Sequence, residues 1–359
     1  MSGLGIRKLS VDHMVSMLSG TYISLIKNRI AFREFPSVML WGPPGVGKSQ
    51  GVRQIAEKIK NETGKNVRIT DVRLLLFNPV DLRGIPTANE DKTLAVWLKP
   101  QIFQMDPSET VVNILFLDEI TAAPTSVQAA AYQITLDRTV GEHKLPENCI
   151  VIAAGNRVTD RSVSYNMPKA LANRLCHLEI EGNLSAWHKW AIQNDIHPFV
   201  VGFIEYNSSS LLRSEGMELA FPTPRSWEMV SNILNFVSDN MDEVFPMIVG
   251  CVGEKTGDLF KTWTEVYKGI PSVEDIFLSG KGDVPAEKEL RIALKSAMVR
   301  YAKKCKNKEL IDNSIKYSCK LPWSFRKQLL QDYIKITEIS DIVEANEVYK
   351  TAVKDGLEC

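Results

Sequence analysis

A lysine and a serine follow directly after a glycine-rich stretch, in the segment GPPGVGKS from Gly42 to Ser49. The segment fits G-x-x-x-x-G-K-[ST] at every fixed position, with an apolar run before it and a helix-like stretch after it. Glycines let consecutive backbone N–H groups turn toward phosphate oxygens, and the helix N-terminus adds its dipole. Lys48 is predicted to reach the β- and γ-phosphates, and the Ser49 hydroxyl to bind Mg²⁺. The predicted nucleotide-binding residues of this loop are Gly42, Pro43, Pro44, Gly45, Val46, Gly47, Lys48, Ser49 and Gln50.

Two adjacent carboxylates end another apolar run, NILFLDEI, from Asn113 to Ile120. In this pattern Asp118 emerges at the tip of a strand, where it can bind nucleotide and support Mg²⁺ beside Ser49. Glu119 follows as the candidate general base that polarises the attacking water. Two carboxylates at a strand end are also found in plain surface turns, but the phosphate-binding loop upstream favours the catalytic interpretation.

Five β-branched, apolar runs predict the strands that position these residues. They are SVMLW (37–41), VRITDV (67–72), VVNILFLD (111–118), CIVIAAG (149–155) and LCHLEI (175–180). Helix-like stretches separate most of them, and the first of these is expected to end at Gly64. This alternation predicts an α/β fold with a five-stranded parallel sheet covered by helices. After about Gly182 only helix-like stretches and turn signals follow.

Three further polar residues are spaced along the chain after the carboxylates. Asn156 ends the strand VIAAGN, Arg174 comes just before the last strand, and Arg225 lies in the first turn of a helix in the all-helical part. Each alone is most simply a cap or a solvated charge. In this order and spacing, however, they resemble sensor 1, the arginine finger and sensor 2 of an AAA+ ATPase. The resemblance assigns all three, with Glu119, to the catalytic machinery.

The resemblance extends to the MoxR family of AAA+ ATPases, through DLRGIP (81–86) and the stretch from Pro124 to Asn156. It is greatest for the stand-alone bacterial and phage-type members, and it runs from about residue 35 to 236. The family implies an AAA+ core at 1–181, with a helix-2 insert at about 78–105 whose hairpin contains TLAVWL. It implies a helical lid at 182–239, and it assigns no role to the helical region at 240–359.

One departure concerns the arginine finger, because Arg157 and Arg161 compete with Arg174 for that role. We expect Arg174 to be the finger, since ALANR matches the family's finger position directly before the fifth strand. An arginine supplied by a neighbouring subunit leaves a monomer's site incomplete, so hydrolysis should depend on assembly.

The resemblance also implies cofactors and partners. ATP and Mg²⁺ are the expected cofactors, and AAA+ rings usually contain six identical subunits. MoxR relatives typically remodel or activate, in a chaperone-like way, a protein with a von Willebrand factor A domain. Two other functions are compatible with a phosphate-binding loop: a nucleic-acid motor or loader, and a nucleotide switch that does not hydrolyse. The complete set of catalytic residues speaks against the switch.

Composition limits the remaining classes. The 359 residues are 44% hydrophobic, and 43 basic side chains balance 43 acidic ones. A net charge of zero and the lack of a recognisable DNA-binding module speak against a nucleic-acid partner. The first residues show no secretory signal and no apolar run approaches a membrane span, so a cytoplasmic location without membrane contact is expected. The six cysteines show no CxxC pair, which speaks against a zinc site or a disulfide framework.

Overall fold

The chain is described here by a computed structural model that covers residues 5–157, 167, 172–213, 218–238 and 240–357. It divides into two compact units, Met1–Gly182 and Asn183–Cys359. Arg161, the second candidate for the arginine finger, lies outside the described residues.

The first unit is built on a six-stranded sheet in which every neighbouring pair is parallel. Its strands, in spatial order, are β1 (Lys8–Leu9), β10 (Cys176–Ile180), β2 (Val38–Trp41), β9 (Cys149–Gly155), β6 (Val111–Asp118) and β3 (Asn66–Arg73). The five predicted strands are all present, and the predicted α/β fold is confirmed. The sixth strand, β1, has only two residues, too few to show a pattern in the sequence.

The middle of this sheet is covered on both faces. All residues of β2 and β9 are buried, as are seven of the eight in β6. Their near-continuous apolar runs are the pattern expected for parallel strands between two helical layers. β3 lies at the edge of the sheet and is mostly exposed. The polar residues that follow β2, β6 and β9 therefore meet at one edge of a rigid platform.

The described residues of the first unit form four α-helices. They are α1 (Val11–Lys27), α2 (Lys48–Thr63), α3 (Pro79–Arg83) and α4 (Thr125–Asp137). α2 begins after Gly47 and ends at Gly64, which has the left-handed conformation (φ 67°) expected of a C-terminal cap. α2 packs on α1 where Gly51 faces Met14 and Val11.

The predicted insert forms a hairpin, in which β4 (Ile85–Ala88) pairs antiparallel with β5 (Ala95–Leu98). Ile85 lies opposite Leu98, while Pro86 lies opposite Trp97. Alternation puts Ile85, Val96 and Leu98 on one face of the hairpin and Trp97 on the other. Trp97 is half-buried, and its carbonyl accepts a hydrogen bond from His143 Nε2 at 2.7 Å. His143 belongs to a second short hairpin, β7 (Thr139–Val140) with β8 (His143–Lys144).

The second unit is helical throughout its described residues, as predicted. Its helices are α5 (Leu184–Gln193), α6 (Pro198–Tyr206), α7 (Pro224–Phe236), α8 (Met241–Val252), α9 (Glu254–Val266), α10 (Val273–Ser279), α11 (Lys288–Lys304), α12 (Lys308–Ser318), α13 (Trp323–Ile334), α14 (Ser340–Ala345) and α15 (Glu347–Lys354). One core cluster contains Trp187, Trp227 and Ile292, so helices on both sides of residue 239 share a core. The division of this helical part into a lid at 182–239 and a C-terminal region at 240–359 stays a prediction. Within the described part of the chain, no helix has both the length and the apolar character needed to cross a membrane.

Candidate active site

The glycine-rich loop connects β2 to α2 and holds the lysine ammonium at its centre. Lys48 Nζ donates to the carbonyl oxygens of Gly42 (2.6 Å) and Pro43 (3.1 Å), and its residue is only 8% exposed. Gly45 and Gly47 have φ angles of 75° and 107°, which residues with a Cβ rarely adopt. The loop therefore depends on glycine for its shape, and it keeps a buried cation at the start of a helix.

The two predicted metal-binding residues lie together. Ser49 Oγ, in the first turn of α2, donates to Asp118 Oδ2 at the tip of β6, at 2.9 Å. A hydroxyl and a carboxylate are oxygen donors of the kind that Mg²⁺ prefers beside nucleotide phosphates. The donor set fits the metal, and the buried ammonium of Lys48 fits a phosphate.

Glu119, the candidate general base, has an exposed side chain directly after Asp118. Its φ of 58° is left-handed, which is uncommon for a residue other than glycine. Its backbone N–H donates to Asp118 Oδ1 at 2.8 Å, and its carbonyl accepts from the N–H of Ala122 at 2.9 Å. Such uncommon backbone conformations concentrate at functional sites, where the surrounding contacts maintain them.

Asn156, the predicted sensor, is brought between the loop and the carboxylates. Its Oδ1 accepts a hydrogen bond from Lys48 Nζ at 2.9 Å. It follows β9, which lies between β2 and β6 in the sheet. The position is the one expected for a group that contacts both the terminal phosphate and the attacking water.

Two residues near the site have no motif in the sequence. Thr121, which is 2% exposed, forms hydrogen bonds with the backbone of Asn156. Asp71 lies near the carboxyl end of β3, the strand paired with β6. Burial, and then the Asp118 carboxylate, raise the pKa of Asp71 above its ordinary value. Its carboxylate near the end of a predicted strand was the only signal in the sequence. The sequence alone does not give the register between β3 and β6, so it could not place Asp71 near Asp118.

Arg157 is held within its own chain. Its Nη1 donates to Glu179 Oε1 on β10, and the Glu179 side chain is only 1% exposed. Withdrawing the arginine would leave a buried carboxylate without this cation, which is costly. This pairing argues against Arg157 as a cation supplied to another subunit.

Arg174 lies at the amino ends of the sheet strands, whereas the glycine-rich loop lies at their carboxyl ends. It precedes β10, whose first residue, Cys176, is in register with Val38 at the start of β2. The loop follows the other end of β2, roughly 15 Å further along the strand direction. Arg174 is exposed and lines a cleft of about 460 Å³ together with Ser37, Arg33 and Cys149. From this position Arg174 does not reach the glycine-rich loop of its own chain. This separation is compatible with the prediction that Arg174 acts on the nucleotide of a neighbouring subunit.

Arg225 lies in the second unit, in the first turn of α7, as predicted. Thr223 caps this helix by accepting from the N–H of Ser226, and the Arg225 side chain is exposed. Its part in nucleotide chemistry stays a prediction.

Comparisons with known proteins agree with this geometry for part of the chain. Residues 37–177 match the family described as "ATPase family associated with various cellular activities (AAA)". No curated protein matches the chain. The match supports an ATPase of the AAA class and nucleotide binding by the first unit.

Several solved structures are similar at low identity. Two mutants of Thermotoga maritima RuvB are similar, one with 14% identity and a TM-score of 0.34 over 98% of this chain and 91% of that one, the other with 15% and 0.34 over 96% and 90%. A candidate ATPase of Cytophaga hutchinsonii is similar with 14% identity and a TM-score of 0.32, over 94% of this chain and 88% of that one. TM-scores in this range do not establish a shared fold.

Proposed function

We propose that this chain is a Mg²⁺-dependent ATPase of MoxR type, which assembles with copies of itself, as a hexamer, and remodels or activates a protein partner. One observation carries the ATPase part. Lys48, Ser49, Asp118 and Asn156 form a cluster at three neighbouring strand ends, in which Lys48 donates a hydrogen bond to Asn156 and the consecutive residue Ser49 donates one to Asp118. This cluster lies in the segment that matches the AAA family.

The chain's own groups would hold the nucleotide and its metal. The loop N–H groups and Lys48 would bind phosphate oxygens, and Ser49 and Asp118 would bind Mg²⁺. Bound Mg²⁺-ATP would supply the γ-phosphoryl group and the metal charge that offsets its negative charge.

Hydrolysis needs a proton acceptor for the attacking water and a positive charge beside the transferred phosphoryl group. Glu119 would accept a proton from the attacking water, and Asn156 would orient that water. Arg174 of a neighbouring copy would stabilise the charge that develops in the transition state, as an arginine finger does. Arg225 would act from the second unit as sensor 2.

Two variants test these assignments. Lys48→Ala should abolish nucleotide binding, whereas Glu119→Gln should keep ATP bound and lower turnover by about 10²- to 10⁴-fold. Isothermal titration with a non-hydrolysable ATP analogue measures binding, and phosphate release measures turnover. Lys60→Ala removes an equal charge from the exposed end of the same helix and serves as the control. Equal loss of binding in Lys48→Ala and Glu119→Gln would contradict the assigned roles.

A protein partner, best sought among von Willebrand factor A domain proteins, is supported by the insert hairpin. Ile85, Leu94 and Leu98 are 60%, 67% and 56% exposed, although all three are large and apolar. Val96, on the same face as Ile85 and Leu98, is 37% exposed. An exposed apolar face of this kind is typical of a surface that contacts another protein.

The hairpin face gives a test of the partner. Purification of the Glu119→Gln variant in ATP should retain the partner, because this variant is expected to bind ATP without hydrolysing it and so to stay in the ATP-bound state. Leu98→Ser should then keep basal turnover and lose stimulation by that protein, while Leu278→Ser, at an apolar residue of similar exposure in the second unit, should not. The alternative, a nucleic-acid motor of the AAA+ class, predicts stimulation by DNA that fades steeply as salt rises.

A further inference from the structure

The hydroxyl of Thr121 bonds to both backbone polar groups of Asn156. It accepts from the Asn156 N–H at 3.0 Å and donates to the Asn156 carbonyl at 3.2 Å. Thr121 is 2% exposed, so water has little access to replace these bonds. One buried side chain therefore fixes the backbone from which the candidate sensor side chain projects.

These bonds continue the contact between β6 and β9 beyond the point where the two strands stop pairing. The strand register ends at Leu117 opposite Ala153. After it, the N–H of Ile120 donates to the carbonyl of Ala154 at 3.0 Å, and the Thr121 hydroxyl makes the next connection. The turn that carries Glu119 is thus attached at both of its ends, by β6 on one side and by Thr121 on the other.

Gly155 permits this close approach. A Cβ at residue 155 would lie 2.7 Å from both Cγ2 and Oγ1 of Thr121. The hydroxyl and methyl of Thr121 therefore fill the space beside the glycine backbone. A side chain at residue 155 would push the Thr121 side chain away from Asn156. The arrangement requires glycine at 155 and a short hydroxyl-bearing residue at 121.

We propose that Thr121 is a positioning residue for ATP hydrolysis, which fixes the backbone of Asn156 and through it the place of the Asn156 side chain beside Lys48. The inference rests on the proposed function. Asn156 Oδ1 already bonds Lys48 Nζ, so a shift of its backbone would move the sensor relative to the phosphate-binding cation. Thr121 itself does not bond to any of the loop residues 42–49 among the hydrogen bonds described, so phosphate binding should not require it.

The test replaces the hydroxyl by a methyl group of similar size. Thr121→Val should lower kcat about tenfold and leave the dissociation constant of a non-hydrolysable ATP analogue within about twofold. Thr121→Ser keeps the hydroxyl and should restore most of the turnover. If Thr121→Val does not fold, Thr121→Ala provides a smaller replacement with the same expected separation of turnover from binding.

A double-variant cycle distinguishes positioning from general destabilisation. If Thr121 acts through Asn156, then Thr121→Val should lower kcat no further in an Asn156→Ala background. A full tenfold loss on top of Asn156→Ala, or unchanged kcat in Thr121→Val, would overturn the inference. Absence of turnover in the natural sequence, under conditions of assembly, would instead overturn the proposed ATPase function.

Discussion

Ser49 and Asp118 are 69 residues apart in the chain, yet their side chains are joined by a hydrogen bond of 2.9 Å. The two oxygen groups that are expected to bind Mg²⁺ are therefore already adjacent. Ser49→Ala should raise the Mg²⁺ concentration for half-maximal turnover by at least about tenfold, because one of these oxygens is lost. A titration of ATPase rate with Mg²⁺ measures this. Ser49→Thr keeps the hydroxyl and should titrate as the natural sequence does; an unchanged midpoint in Ser49→Ala would count against the metal site.

Arg174 gives a prediction about assembly, because it lies at the edge of the sheet away from Lys48. Arg174→Ala and Glu119→Gln should each be nearly inactive alone. When the two are mixed, a subunit with intact Glu119 can receive Arg174 from its neighbour, so turnover should reappear. Phosphate release across mixing ratios measures this, and Arg174→Ala with the double variant Glu119→Gln/Arg174→Ala is the matched control. Failure of every mixture to recover activity would rule out the trans finger.

The pair of Arg157 and Glu179 gives a prediction about stability. Arg157→Ala leaves the carboxylate of Glu179, which is 1% exposed, without its cation and should cost about 3 kcal/mol in the free energy of unfolding. Glu179→Leu in the same chain should recover much of that loss, because it removes the buried charge. Arg33→Ala breaks a pair with Glu147 whose side chains are 62% and 64% exposed, and should change stability by less than about 1 kcal/mol. Urea denaturation compares the three.

His197 gives a prediction about pH. Burial, with help from the charges of Arg300 and Lys304, lowers the pKa of His197 to about 3. The unfolded chain, with a pKa near 6.5, therefore binds this proton first as the pH falls. The contribution to stability is complete above about pH 6.5 and declines toward pH 3, by about 2 kcal/mol between pH 6.5 and 5.

Urea denaturation at pH 7, 6 and 5 measures that decline. His197→Asn cannot titrate and can still accept the N–H of Phe199, which His197 Nδ1 accepts at 3.2 Å. Its stability should fall less steeply with acid, although burial also lowers the pKa of His188 and leaves a residual slope. Equal slopes in the two proteins would contradict the prediction.

The sequence predicted the central strands and the loop because their patterns are local. β2, β6 and β9 are buried on both faces, so each appears as an apolar run that ends at a polar residue. Lys48, Asp118 and Asn156 could be recognised as candidate site residues because each lies at, or shortly after, the end of one of these runs. The closeness of these three residues could be expected from a parallel sheet, because the carboxyl ends of neighbouring strands lie side by side.

Thr121 and Glu179 could not be found in this way, because their importance depends on partners distant in the chain. Thr121 bonds a residue 35 positions away, and nothing in the local sequence TAAP signals it. Glu179 alternates with apolar residues in CHLEI, a pattern that predicts solvent exposure, but Arg157 allows it to be buried. The inward direction of Trp97 depends on a hairpin register that the insert's composition leaves open.

β3 at the edge of the sheet affects how copies of the chain can meet. An eight-residue edge strand offers unpaired backbone groups to any other strand, and so it is a site for uncontrolled addition of further chains. Here Arg68, Asp71 and Arg73 interrupt the strand with exposed charges, and Arg68 is also held by Asp106 at 3.3 Å. Pairing with another strand at this edge would place these charged side chains in the new sheet. Exposed charges on an edge strand disfavour its pairing with a strand of another chain.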